Sequence, residues 1–432
     1  MTVVRTPATG VPGPVLTPVA AEAWVPRTCF KHGPPERLGI ELELVLAPAP
    51  GRRLPAPGAV RTALTALPVQ GRVTVEPGGQ IELSTHPAPD LPAALRTAQA
   101  GTAALRRRAA GHGARLLGLG LDPSPLPPRV LRLPRYDAME AFFDRTGPAG
   151  RVMMRSTASV QVTVEAGPPG GGLAGVRRRW DLLHAVGPAL VAAFANSPLA
   201  HGRPTGWCST RFAVWLALDP YRTREPVIRP GESLPEAWTR WCLDAPVMVI
   251  RRPHGPWHAP AGLTFRRWIA AGRAAVPDRP APTLDDLAYH LTTLFPPVRA
   301  RGPLEIRYVD AQPGDWWQVP VAVLAGLTTD AAAAEIALDA CAGVRGRWAA
   351  AARHGLRDPE LALAARRVLD AAARGLRRHP ATAPAAQAVE QYTEHWTLRG
   401  RCPADDVLDR REPPAAPAPA PFAPAAPREV RC

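Results

Sequence analysis

The chain has 432 residues, 46% of them hydrophobic and 21% charged. That apolar fraction excludes a wholly disordered chain, and the length is ample for a large core in one domain or two. The formal charge of +15 is almost entirely arginine, because Lys31 is the only lysine. The arginines are scattered, with short runs at Arg106-Arg107-Arg108 and Arg177-Arg178-Arg179, so an anionic small-molecule substrate accounts for them as well as nucleic acid does.

Residues 1–22 and 411–432 are Pro/Ala-rich with little periodicity and are expected to be disordered, which leaves 23–410 as a single domain. Met1 to Ala20 has no apolar core segment of the signal-peptide kind. Strand-like alternation occupies Leu38–Leu46, Val73–Glu76, Gln80–Ser84, Ser159–Val164 and Leu304–Val309. Helical patterns occupy roughly 91–111, 136–145, 176–196, 284–294, 329–354 and 358–377. Pro- and Gly-rich stretches at 47–58, 167–175 and 251–262 read as surface loops. Strands separated by helices of irregular spacing fit an α+β sheet better than a regular parallel array. The most apolar window, Leu182–Ala200, contains His184, Gly187, Asn196 and two prolines, and reads as a buried helix rather than a membrane span. A cytoplasmic protein without membrane association is expected. Six cysteines lie far apart with no CxxC pair, which argues against a zinc knuckle or a disulfide framework.

Successive side chains on a strand point to opposite faces. In Gly39-Ile40-Glu41-Leu42-Glu43-Leu44 the apolar residues share one face and Glu41 and Glu43 the other. Gln80 and Glu82 separate likewise from Ile81 and Leu83, Ser159, Gln161 and Thr163 from three valines, and Glu305 and Arg307 from Leu304, Ile306 and Tyr308. Each pattern alone is the ordinary wet face of an antiparallel sheet. Together the outward residues are mostly carboxylates and amides. If the strands share a sheet, Glu41, Glu43, Glu76, Glu82 and Glu305 converge, and carboxylates that close require cations. Hard oxygen ligands without His or Cys suit magnesium completed by water and substrate phosphates, so the pattern points to a Mg-nucleotide bed on a sheet face.

Longer blocks then match a family. Val73-Thr74-Val75-Glu76-Pro77-Gly78-Gly79-Gln80-Ile81-Glu82-Leu83-Ser84 resembles the VTVEPGGQxELS segment of glutamate–cysteine ligases, and Gly39-Ile40-Glu41-Leu42-Glu43 resembles their GxExE opening. Met153 to Val162, Gly206 to Trp215, Tyr289 to Arg299 and Leu304 to Gly314 resemble further blocks, in order across about 37–320. Arg155 and Cys208 depart from the pattern, where cysteine and arginine respectively are expected. The similarity is greatest to the actinobacterial branch that feeds ergothioneine biosynthesis.

The resemblance implies a glutamine-synthetase-like, mainly antiparallel sheet with helices on one face and a polar active-site face. It also implies ATP and magnesium, with the γ-carboxylate of L-glutamate joined to the amine of L-cysteine through a γ-glutamyl phosphate, giving γ-glutamylcysteine, ADP and phosphate. Positions matching the family's metal-binding acids are Glu41, Glu43, Glu76, Glu82 and Glu305. Arg211 and Arg307 match its phosphate- and substrate-binding arginines, with Arg307 expected near the transferring phosphoryl group. Gln80 and Gln161 are expected to bind ATP or substrate. No protein nucleophile is required. One alternative keeps this chemistry with a different amine, since nothing in the motifs visibly reads a thiol. A basic, non-catalytic nucleic-acid-binding protein is the alternative of another class, but it gives no reason for acids to face one side of four segments. Neither nucleic acid nor a membrane is an expected partner, and nothing in the sequence fixes the oligomeric state.

The Gly-rich run 167–172 lacks the Gly-Lys-Ser/Thr ending of a phosphate loop and reads as a surface loop. His184, His290, Trp238, Trp241, Trp316, Trp317 and Cys208 are expected to be packing residues.

Overall fold

A computed structural model describes residues 14–31, 37–51, 56–168, 175–276 and 281–410. The strands are β1 (Leu38–Pro48), β2 (Gly71–Val75), β3 (Ile81–Thr85), β4 (Ala114–Leu117), β5 (Ser159–Val164), β6 (Leu199–Ala200), β7 (Arg203–Pro204), β8 (Val298–Ala300) and β9 (Leu304–Asp310). β6 and β7 pair only with each other. The other seven form one antiparallel sheet in the order β2-β3-β1-β5-β9-β8, with β4 on the far end of β1. The α+β expectation is met.

Register decides which side chains meet. Glu41 lies opposite Gln161, Glu43 opposite Glu82, and Glu82 also opposite Thr74. Glu305 lies opposite Thr163 and Arg299. Between β5 and β9 the register slips: Val162 pairs with Ile306, but Val160 pairs with Val309. One extra β9 residue sits in that interval, a bulge that shifts the facing of everything beyond it. Tyr308 stays on the core side and donates to the Leu183 carbonyl at 3.0 Å. Asp310 thereby pairs with Ser159 and joins the polar face.

On the apolar face, Ile40, Leu42, Val160, Val162 and Ile306 pack against the helices Val176–Ala185, Gly187–Ala193, Gln318–Thr329 and Pro359–Arg377. Leu44, Val73, Ile81 and Leu83 continue that face onto the helices Pro57–Thr65 and Leu91–Gly111. The polar face is not left open. A third cluster, drawn from the helices Pro134–Phe143, Ala149–Ser156 and Thr210–Leu216, contains Met139, Met153, Met154 and Val214 and supplies walls for it.

Several local expectations are corrected. Disorder does not extend to residue 22, because Pro18–Cys29 is a helix. Thr17 caps it by accepting from the Ala20 N–H at 3.2 Å, and Ala21, Val25 and Cys29 form a buried stripe at i, i+4 spacing. Residues 1–13 and 411–432, and most of the Gly-rich run, lie outside the described residues. The long helix expected over 329–354 is broken: Gln318–Thr329 ends at Asp330, whose carboxylate caps Ala331–Ala340, and Trp348–His354 follows a turn. The helix expected over 176–196 breaks at Gly187-Pro188, since proline removes an N–H from the ladder.

The turn between β2 and β3 presents two of the site residues. Glu76 N donates to Gln80 O at 2.9 Å and Gly79 N to Glu76 O at 2.8 Å. Gly79 has φ +98°, and a Cβ on Gly78 would lie 1.9 Å from the Arg155 carbonyl oxygen. Gly78→Ala is therefore expected to destabilise the protein by about 1–3 kcal/mol, because backbone must move to admit a methyl. Thermal melting against the wild type measures it.

Candidate active site

The polar face opens into a cleft of about 370 Å³. Glu41 and Glu43 reach it from β1, Glu82 from β3, Glu76 and Gln80 from the turn, Gln161 from β5 and Arg307 from β9. Arg211 enters from the first turn of the helix Thr210–Leu216. Eight of the nine expected residues thus line one cavity. The ninth, Glu305, sits behind the lining: its two oxygens each accept from Arg299 at 2.8 Å, and it also bonds Arg307.

Hydroxyls and amides hold the acids in place. Ser159 donates to Glu43 Oε2 at 2.9 Å and Gln161 Nε2 to Glu43 Oε1 at 2.8 Å. Thr74 and Ser84 both donate to Glu82 Oε1, at 3.0 and 2.9 Å. Gln161 Oε1 accepts from Arg307, so one amide bridges an acid and a base. Gln80 Nε2 donates to the Thr157 carbonyl at 2.9 Å, which leaves its buried Oε1 without a protein partner. The Nε atoms of Arg211 and Arg307 are likewise buried and unpartnered. Such groups are costly in a dry interior, and at the wall of a polar cleft they suit a ligand.

The carboxylates shift one another. Burial, followed by the Glu305 and Glu82 charges, pushes Glu41 up to about 7. Burial and Glu82 raise Glu43, and burial with Glu82, Glu43 and Glu41 raises Glu76 well above the usual carboxylate range. Glu305 is opposite. Burial would raise it, but the Arg299 and Arg307 charges outweigh that and hold it below the ordinary range. Burial acts against Arg307 too, yet Glu305, Glu43 and Glu41 raise its pKa. The cleft is an acidic wall facing buried guanidinium groups, a layout able to hold a cation and an anion together.

The donor set fits a hard divalent ion, being all oxygen. Among the described residues no group of three or more His, Cys, Asp or Glu side chains forms a ready-made metal cage. An ion held by a few carboxylates and finished by water and phosphate oxygens matches that arrangement.

Two supporting residues were not singled out from sequence. Arg299 stands on a three-residue strand too short to show alternation. Asp310 needed the bulge to reach the polar side. It accepts from the Asn196 N–H at 2.9 Å, Ser197 Oγ at 2.7 Å and Ser209 Oγ at 2.9 Å, and stands 3.7 Å from Arg211 Nη1. Arg211 also donates to the Arg307 carbonyl at 2.8 Å and lies 4.8 Å from the centre of the Trp215 ring. The expected packing residues are buried: His184 Nδ1 lies 2.9 Å from the Trp180 carbonyl and His290 Nε2 2.9 Å from the Cys242 carbonyl. Trp238 and Trp317 are in the core, with Trp241 and Trp316 packed against it.

Glu41 yields a pH prediction. It holds its proton to about pH 7 when folded against an ordinary 4.5, so its contribution to stability is present below about 4.5 and lost as pH rises through 7. Glu41→Gln removes that titration. Between pH 5 and 8 the wild type should lose melting temperature more steeply than the variant, with the two curves closest at low pH.

Residues 37–419 match the family model for glutamate–cysteine ligase family 2. The chain is 41% identical over 399 residues to glutamate–cysteine ligase EgtA of Mycobacterium tuberculosis (strain CDC 1551 / Oshkosh), with 90% of each chain covered. It is 40% identical over 402 residues to the protein of the same name from Mycolicibacterium smegmatis, again with 90% of each covered. The chloroplastic glutamate–cysteine ligase of Arabidopsis thaliana is 30% identical over 293 residues, 66% of this chain and 53% of that one. With most of its length matched by the family and by two relatives, the chain is an enzyme belonging to glutamate–cysteine ligase family 2.

Proposed function

We propose that the cleft joins the γ-carboxylate of L-glutamate to the amine of L-cysteine at the expense of ATP, and that the product feeds ergothioneine biosynthesis in the cytoplasm. The observation that carries this reading is the facing of Glu41, Glu43, Glu76 and Glu82 by the buried Arg211 and the partly buried Arg307 in one cavity. Among the described residues no single helix is long and apolar enough to cross a membrane. Acids lining the cleft would repel a nucleic-acid backbone, so the basic-binder alternative gains nothing from the site.

A carboxylate is a poor electrophile, so activation comes first. The glutamate γ-oxygen attacks the terminal phosphorus of ATP, the P–O bond to ADP breaks, and a γ-glutamyl phosphate results. The amine nitrogen then attacks the acyl carbon and phosphate leaves with the C–O bonding electrons. The proton lost from the amine ends on that phosphate or on a carboxylate. Carboxylates among Glu41, Glu43, Glu76 and Glu82 would hold magnesium, which would supply charge neutralisation for the triphosphate. Arg307 presents its fork to the transferring phosphoryl group and Arg211 to the nucleotide or acyl phosphate. Gln80 offers the unpartnered Oε1 to a donor on nucleotide or substrate, and Gln161 fixes both Glu43 and Arg307. We assign Glu305, which pairs with Arg299, first to holding Arg307 in place.

Product analysis by mass spectrometry tests the reaction: the purified protein with ATP, Mg²⁺ and L-glutamate is offered L-cysteine or thiol-free amines of similar size. γ-Glutamylcysteine with stoichiometric ADP is expected, and turnover with a non-thiol amine alone would remove the cysteine assignment. Arg307→Lys should lose at least a hundredfold in kcat while remaining folded, since a point charge cannot replace a bidentate fork. Near-normal kcat would refute its role.

A further inference from the structure

Cys208 precedes the helix that carries Arg211, and Cys402 caps the helix Pro403–Asp409. The two meet in a small buried cluster with Ala195 and Ala404, each no more than 1% exposed, and both sulfurs pack against Gly355. Arg357 bridges Cys208 to Asp405: Nη2 donates to Cys208 Sγ at 2.9 Å and Nη1 to Asp405 at 2.8 Å. Cys402 Sγ donates to the same Asp405 at 3.4 Å. Gly355, at φ +57°, leaves room against both sulfurs, for a Cβ there would stand 3.0 Å from Cys208 Sγ and 3.4 Å from Cys402 Sγ.

The chemistry of the two thiols is split. Cys402 and Arg357 favour the Cys208 thiolate and lower its pKa, while Cys208 and burial raise Cys402 well above the ordinary thiol. The remaining described cysteines behave as buried hydrophobes: burial pushes Cys29 up to about 11 and Cys341 up to about 12, and raises Cys242 further than an ordinary thiol. A thiolate touching a cation, with a second thiol beside it, is disposed to oxidation, and because both thiols are buried the oxidant has to be small enough to enter the cluster.

We propose that Cys208 and Cys402 form a redox-active dithiol, closed to a disulfide by hydrogen peroxide, which ties the helix Pro403–Asp409 to the segment carrying Arg211. The Cys208 thiolate attacks a peroxide oxygen, the O–O bond breaks, and the departing hydroxide takes a proton to become water. The resulting sulfenic acid is attacked by the Cys402 sulfur, which releases its proton, and the hydroxide displaced from Cys208 leaves as a second water. The pair loses two electrons and the peroxide gains them. Closure to the disulfide length of about 2.05 Å draws Cys208 toward Cys402. The next residue, Ser209, bonds Asp310, which stands beside Arg211, so the movement reaches the cleft.

The test uses the full reduced protein exposed to hydrogen peroxide, quenched with N-ethylmaleimide and mapped by peptide mass spectrometry. One Cys208–Cys402 cross-link is expected, with a loss of about 2 Da. Turnover should fall several-fold while mapping shows the cross-link intact, and dithiothreitol should restore it. Cys402→Ser and Cys402→Ala should keep basal turnover, form no cross-link and escape the peroxide effect. Arg357→Met should slow cross-linking several-fold, because the cation that touches Cys208 Sγ and favours its thiolate is gone. Both cysteines staying alkylatable, linkage scrambled among other cysteines, or unchanged turnover in fully cross-linked protein would overturn the proposal. The mass readout stands whichever amine the enzyme uses.

Discussion

Mutual repulsion among carboxylates on one face of a sheet is the constraint around which this protein is organised. β1 contributes Glu41 and Glu43 while its neighbours add Glu82 and Gln161 at paired positions, so the acids cannot separate without breaking strand pairing. Withdrawn from water, they raise one another's proton affinity. A divalent ion bound there would relieve repulsion that hydrogen bonds from Thr74, Ser84 and Ser159 only distribute.

The arginines complete the balance. Arg307, Arg211 and Arg299 all line the cavity, and Arg299 also forms a bidentate pair with Glu305 beneath the lining. A buried pair of this kind adds little net stability over apolar packing, but removing one partner leaves a charge stranded. Its worth lies in geometry, because Glu305 also holds Arg307, and Arg307 holds Gln161. Positions within the cleft are thus coupled through the sheet rather than set one side chain at a time.

Walls complete what the sheet begins. Helices on the apolar side provide the rigid base, while Met139, Met153, Met154 and Trp215 from helices on the other side narrow the polar face into a cavity. Exclusion of water there strengthens every charge interaction within the cleft.

Much of this was legible in the residues. The alternation of Ile40, Leu42 and Leu44 with Glu41 and Glu43 needs only the two-residue period of a strand, and the Glu76–Gln80 turn announces itself by Pro77-Gly78-Gly79. The helix Pro18–Cys29 was hidden because its prolines, at the first turn and near its end, masked a stripe of three buried residues. What opposes what is a different matter. The bulge in β9 that turns Asp310 toward Arg211, the pairing of Arg299 with Glu305, and the meeting of Cys208 with Cys402 join segments far apart in the chain. Local pattern determined each strand's faces, because facing follows from backbone geometry within a few residues. Register and helix docking decided the partners, because those depend on how the whole core closes.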